Sequence, residues 1–157
     1  MRHVLQLERA DARAIVDAAH QAADAHSDAL GPARVSITIV DSGGHLLMLE
    51  RRDGASVSSA DTAIAKARMA ALNGKATADQ EQAINGERPA LLQLAGIFGQ
   101  PAVAMTGGLP LLTPAGCIGA VGVSGMTPAI DLAIAEAALA AFNQRLNDQQ
   151  PLQQQQP

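Results

Sequence analysis

Arg34-Val35-Ser36-Ile37-Thr38-Ile39-Val40-Asp41-Ser42-Gly43-Gly44-His45-Leu46-Leu47-Met48-Leu49-Glu50 is the stretch whose reading decides the fold. Arg34 to Val40 alternates apolar and hydroxyl side chains, the period of a strand. Asp41-Ser42-Gly43-Gly44 is turn chemistry, because glycine takes positive φ without steric cost. His45 to Glu50 then returns as a second strand. The stretch is a β-hairpin.

Working outward, Leu7 to Leu30 carries Ile15, Val16, Ala19, Ala22 and Ala23 at helical spacing, and Gly31-Pro32 stops it. On the other side, Arg51-Arg52-Asp53-Gly54-Ala55 is a polar exit from the hairpin. Ser58 or Ser59 then offers an N-cap for a helix running to about Asn73. Its alanines (Ala63, Ala67, Ala70, Ala71) allow close approach to a sheet, and Gly74 ends it. Thr77 to Gly86 carries no period that assigns it, and Pro89 to Ala95 reads as a short helix closed by Gly96. Pro101 to Met105 reads as a strand, Gly107-Gly108 as a turn and Leu109 to Leu112 as another extended piece. Cys117 to Ser124 is a strand whose recurring glycines mark close backbone approach. Thr127-Pro128 opens a last helix, with proline at its first position, running to about Leu146. The order is helix, hairpin, helices, about three strands and helix. Short turns between strands predict a mostly antiparallel sheet with helices packed on it.

The 157 residues fit one domain, here residues 1–146, and the Gln-rich remainder, 147–157, is expected to be disordered. Apolar residues make up 48% and aromatic ones 1%, so the core is aliphatic. A net charge of -4 and the scarcity of aromatics argue against a nucleic-acid surface. No apolar run reaches the length of a transmembrane helix, and the N-terminus lacks the apolar core of a signal peptide. The expectation is a cytoplasmic protein without a membrane partner. Cys117 stands alone, which excludes an intrachain disulfide. The glycine spacing is not a dinucleotide fingerprint, so no nucleotide cofactor is expected.

Several blocks together resemble the GlcG/HbpS family of small, often haem-associated proteins. Val40-Asp41-Ser42-Gly43-Gly44-His45-Leu46 and Arg51-Arg52-Asp53-Gly54-Ala55 resemble its V-D-x-G-G-x-L and R-M-D-G-A motifs. The run from Ser58 to Lys66-Ala67 is similar to its Ser-to-Lys-Ala helix. Gly107-Gly108-Leu109-Pro110 and the run from Ile118 to Gly125 match its G-G-x-P and I-G-A-[IV]-G-V-S-G motifs. Arg52 departs from the family's methionine, and Ile130 stands where glutamine is common. The resemblance implies an α/β (α+β) fold, a profilin-like sandwich of about five mostly antiparallel strands flanked by helices. It also implies a homo-oligomer and a role in binding haem or a related tetrapyrrole.

From physical chemistry, Arg51, Asp53, Ser58, Ser59 and Lys66 concentrate polar groups at a helix mouth. Arginine offers a fork to a carboxylate and lysine a point charge. The Gly107-Gly108 turn can bring backbone donors to the same mouth. Three functions follow: a small-ligand-binding protein, an enzyme on a small organic acid or lactone in a catabolic pathway with Lys66, Arg51 and Asp53 as catalytic candidates, or an accessory scaffold whose oligomer matters more than any pocket. A structural ion network tying the loop to the helix accounts for the same residues. Haem iron needs an axial donor. Of the histidines, His20 is the candidate because it borders the apolar stripe of the first helix. His20 and His26 fall about 240° apart around a helix, which rules out a shared face.

Overall fold

The structure is a computed structural model that describes residues 5–149. In chain order it contains α1 (Arg9–Ala25), β1 (Ser27–Asp28), β2 (Gly31–Pro32), β3 (Ser36–Asp41), β4 (Leu46–Arg51), α2 (Ser59–Asn73) and α3 (Thr77–Asn85). A 3-10 turn (Pro89–Gln93), α4 (Leu94–Ile97), β5 (Gly108–Thr113), β6 (Gly116–Ser124) and α5 (Pro128–Gln149) complete it. The expected α+β architecture with an antiparallel sheet is present. The strands of the main sheet lie in the order β4-β3-β6-β5, every neighbouring pair antiparallel.

The hairpin forms as its turn chemistry dictates. Gly44 takes a φ of 79°, and the Asp41 carboxylate accepts hydrogen bonds from the Gly43 and His45 amides, both at 2.9 Å. Strand periodicity sends Ile37 and Ile39 to one face. There they join Val121, Val123, Leu109 and Leu111 beneath α1 (Ile15, Val16, Ala19) and α5 (Ile134, Ala135, Ala138, Phe142). The other face carries Val40 and Ala120 against Ala67, Ala70 and Ala71 of α2. The molecule is therefore a three-layer stack: α1 and α5, the sheet, then α2.

The hydroxyl residues of β3 do not meet solvent. Ser36 and Thr38 are fully buried, because α2 covers the second face as well. Glycine makes that cover possible. A Cβ built on Gly122 would meet the Ala63 carbonyl oxygen, and would lie 2.8 Å from the Ala67 nitrogen.

Three elements differ from the sequence expectation, and one that it left unassigned is helical. The first helix stops at Ala25, because Ser27 and Asp28 pair with Pro32 and Gly31 in a two-residue ladder. Pro101 to Met105 joins no ladder; its Val103 amide donates instead to the Ala65 carbonyl of α2 at 3.2 Å. The main sheet consequently has four strands. Gly108 is the first residue of β5 rather than part of a turn, and Thr77–Asn85 is helical. α5 continues to Gln149; the rest of the Gln-rich segment lies outside the described residues. Among the described residues no helix is long and apolar enough to cross a membrane.

Candidate functional site

The exit of β4 builds a charged recess. Arg51 ends β4 opposite Ser36, and the Arg52 amide still donates to the Val35 carbonyl at 3.0 Å. The chain then turns sharply: the Ala55 amide bonds the Arg52 carbonyl at 3.1 Å, and Gly54 has a φ of 79°. Gly54 has a second role, since a Cβ there would lie 2.9 Å from Arg34 Cδ. Its bareness lets the Arg34 stem cross the loop. The result is a cavity of about 630 Å³ lined by Arg34, Arg51, Arg52, Asp53 and Gly54, with Leu30, Pro32 and Ala33 as the apolar wall. That volume is in the range of small-molecule sites, roughly 300–1,000 Å³.

Two of the three guanidinium groups are already engaged. Arg34 grips Asp28 with both terminal nitrogens, at 3.1 and 2.8 Å. With the Leu30 amide this holds the Asp28 carboxyl well below its ordinary range, at about 2. Arg52 pairs with Asp24 and donates to the His20 carbonyl at 3.0 Å. Arg51 and Asp53 make no side-chain hydrogen bond or ion pair among the described residues, and both are exposed. Arg51 is the guanidinium available to a ligand.

His20 lies behind Arg52. Its Nε2 is 2.7 Å from a Glu50 oxygen, and its Nδ1 is 3.4 Å from Arg52 Nη1. Arginine has only donors, so Nδ1 accepts and the Nε2 proton points at Glu50. A hydrogen bond from Arg13 holds the Glu50 carboxyl below its ordinary value, against the opposing effect of burial.

The structure divides the remaining candidates. Lys66 does not line the cavity. Its side chain is 3% exposed, and Nζ donates to the Val123 carbonyl at 2.9 Å and to Asp131 Oδ2 at 3.0 Å. The other Asp131 oxygen accepts the Met126 amide at 3.0 Å. Gly107 and Gly108 belong to this buried pair. A Cβ on Gly107 would lie 3.1 Å from Lys66 Nζ, and one on Gly108 would lie 2.6 Å from the Lys66 carbonyl oxygen. Gly108 also exchanges hydrogen bonds with the Thr77 hydroxyl. Ser59 is buried against Ser36, Oγ to Oγ 2.7 Å, and Ser58 is exposed, with no side-chain cap bond.

The expected group thus resolves into two places. Arg51 and Asp53 face a cavity, while Lys66, Gly107 and Gly108 enclose an ion pair inside the molecule. Sequence reasoning missed Arg34 as a cavity residue and Asp131 as the lysine's partner. The signal for Asp131 was an acid in the first turn of a helix opened by Thr127-Pro128.

A family model described as "Haem degrading protein HbpS-like" matches residues 7–140. The chain belongs to the GlcG/HbpS family. It is 38% identical over 90 residues to Protein GlcG of Escherichia coli K12, a match covering 57% of this chain and 63% of GlcG, so the chain spans under two thirds of that relative's length. It is 38% identical over 111 residues to an uncharacterized 15.0 kDa protein from the dhaT-dhaS intergenic region of Citrobacter freundii, covering 70% of this chain and 77% of that protein. Among solved structures, Klebsiella pneumoniae protein ORFY superposes with a TM-score of 0.78 at 31% identity, covering 91% of this chain and 94% of ORFY. A PduOC:haem complex superposes at 0.75 with 27% identity, covering 88% of this chain and 96% of PduOC. The GlcG/HbpS motifs quoted from the sequence map onto the hairpin, its exit loop, α2, β5 and β6.

Proposed function

We propose that this protein is a small-ligand-binding member of the GlcG/HbpS family, working in the cytoplasm as a homo-oligomer. Its ligand class is haem or a related carboxylate-bearing tetrapyrrole. The observation that carries the reading is the cavity of about 630 Å³ whose lining includes Arg51, unpaired among the described residues. A solved relative captured with haem supports the ligand class.

The residues present fit one end of such a ligand. Arg51 can take a propionate in a charge-assisted bond, and Leu30, Pro32 and Ala33 offer apolar contact to a ring edge. They do not fit the metal: among the described residues no histidine, methionine or cysteine lines the cavity. An organic-acid enzyme using Lys66 as a base has less support, because the Lys66 ammonium is enclosed with Asp131.

The test is haemin titration followed by absorbance. A charge-assisted hydrogen bond is worth about 1.5–3 kcal/mol, so Arg51→Ala should weaken binding roughly ten- to hundredfold. Unchanged binding in that variant removes the cavity from consideration.

A further inference from the structure

We infer that this protein recognises a tetrapyrrole by its carboxylates and not by its metal, so that metal-free and metallated rings bind alike. The inference rests on the proposed ligand class and deepens it.

Three observations carry it. First, among the described residues, each one lining the cavity whose side chain can bond a ligand's polar end is a carboxylate receptor or a carboxylate itself: Arg34, Arg51, Arg52 and Asp53. None offers the imidazole, thioether or thiolate that haem iron takes. Second, His20 stands nearest behind that wall, and neither of its nitrogens has a free lone pair. Nδ1 faces the Arg52 donor, and Nε2 is turned to Glu50, which Arg13 also holds. Freeing His20 would mean breaking hydrogen bonds to two charged partners, themselves tied to Asp24 and Arg13. His26 caps the C-terminus of α1 and does not line the cavity. Third, the cavity that does hold thioethers is unsuited to propionates. It measures about 320 Å³, is lined by Met69, Met105, Ile84, Leu92 and Val103, and carries the Glu81 carboxylate. That carboxylate accepts the Thr106 amide and hydroxyl, and the lining offers a second carboxylate no cationic partner among the described residues; like charges disfavour each other.

The consequence is specificity set by the periphery of the ring. Propionates meet Arg51, and the metal centre is left to solvent or to a small exogenous ligand. A protein of this design holds or passes on a porphyrin before or after metal insertion, whereas an axial ligand would commit it to the iron form.

The experiment compares haemin, protoporphyrin IX and protoporphyrin IX dimethyl ester on the intact chain, by fluorescence quenching and absorbance. Haemin and protoporphyrin IX should have dissociation constants within about threefold of each other. The dimethyl ester should bind at least tenfold more weakly, and Arg51→Ala should weaken both free acids by the same factor. The spectrum of bound haemin should be unchanged in His3→Ala, His20→Ala, His26→Ala and Met105→Ala. If haemin binds more than tenfold tighter than protoporphyrin IX, or any of those four variants alters its spectrum, iron ligation is real and the inference falls alone. If neither free acid binds, the tetrapyrrole reading falls and takes the inference with it.

Discussion

Lys66→Met separates a structural lysine from a ligand-binding one. The substitution keeps most of the apolar stem and deletes the ammonium. In the wild-type structure that ammonium satisfies Asp131 Oδ2 at 3.0 Å and the Val123 carbonyl at 2.9 Å, and the two side chains are only 3% and 4% exposed. Removing one partner of such a pair leaves a carboxylate buried without a counter-charge, a loss of about 3–5 kcal/mol. Domains of this kind have roughly 5–15 kcal/mol in total. At about 2–4 °C per kcal/mol for this size, the melting temperature should fall by roughly 6–20 °C. The double variant Lys66→Met/Asp131→Asn should recover about half of the loss, since asparagine carries no charge and its oxygen still accepts the Met126 amide. Chemical denaturation of wild type and the two variants gives the energies, and haemin titration well below the melting point should return wild-type affinity. A Lys66→Met variant that keeps its stability but binds tenfold more weakly would refute this reasoning and return Lys66 to the ligand site.

Gly122→Ala should destabilise by about 1–3 kcal/mol, because the new Cβ would lie 2.8 Å from the Ala67 nitrogen and 3.0 Å from its Cβ; denaturant unfolding reads it. Thr38→Val should stabilise by about 1 kcal/mol, since the Thr38 hydroxyl is buried with no hydrogen-bond partner and valine has its shape; a lower midpoint of urea unfolding would count against the assignment. Asp28 has a folded pKa depressed to about 2, so its contribution to stability is complete above its ordinary value of 3.8 and is lost as pH falls through about 2. Wild type should therefore lose more stability than Arg34→Met between pH 4 and pH 2, measured by thermal unfolding across that window.

The local features were legible where one or two residues decide a conformation. Asp41 and Gly44 set the hairpin, Gly74 takes the left-handed cap of α2 at a φ of 61°, and Pro128 opens α5. Misreadings arose where a partner distant in sequence decides. Pro101 to Met105 has the composition of a strand, but β5 already holds the edge beside β6, and the segment bonds to α2 instead. The alternation in β3 does not by itself say what covers its hydroxyl face; the approach of the Ala-rich α2 buries it. The separation of Lys66 from Arg51 has the same origin. Ser59 and Lys66 do share a face of α2, as their spacing requires, and two turns of helix span roughly 10 Å. α2 crosses the sheet, so Ser59 meets Ser36 of β3 while Lys66 arrives at Val123 of β6. A shared face places two residues against one layer, and over that distance it does not place them in one site.

The cavity's three arginines show why available charge tells more than counted charge. Arg34 and Arg52 add to the positive character of the wall, but Asp28 and Asp24 already neutralise them. For either to bind a ligand carboxylate, it must give up an existing ion pair, and the gain is the difference between two similar bonds. Arg52 would also release the His20 carbonyl and ring nitrogen. Arg51 breaks no ion pair or side-chain hydrogen bond among the described residues. Equal side chains at neighbouring positions therefore have unequal capacity for a ligand, and the inequality is set by acids that precede the hairpin in the chain. The Arg52 that replaces the family's methionine fits this division: its contacts tie the exit loop to α1 through Asp24 and His20, and so fix the loop on which Arg51 is presented.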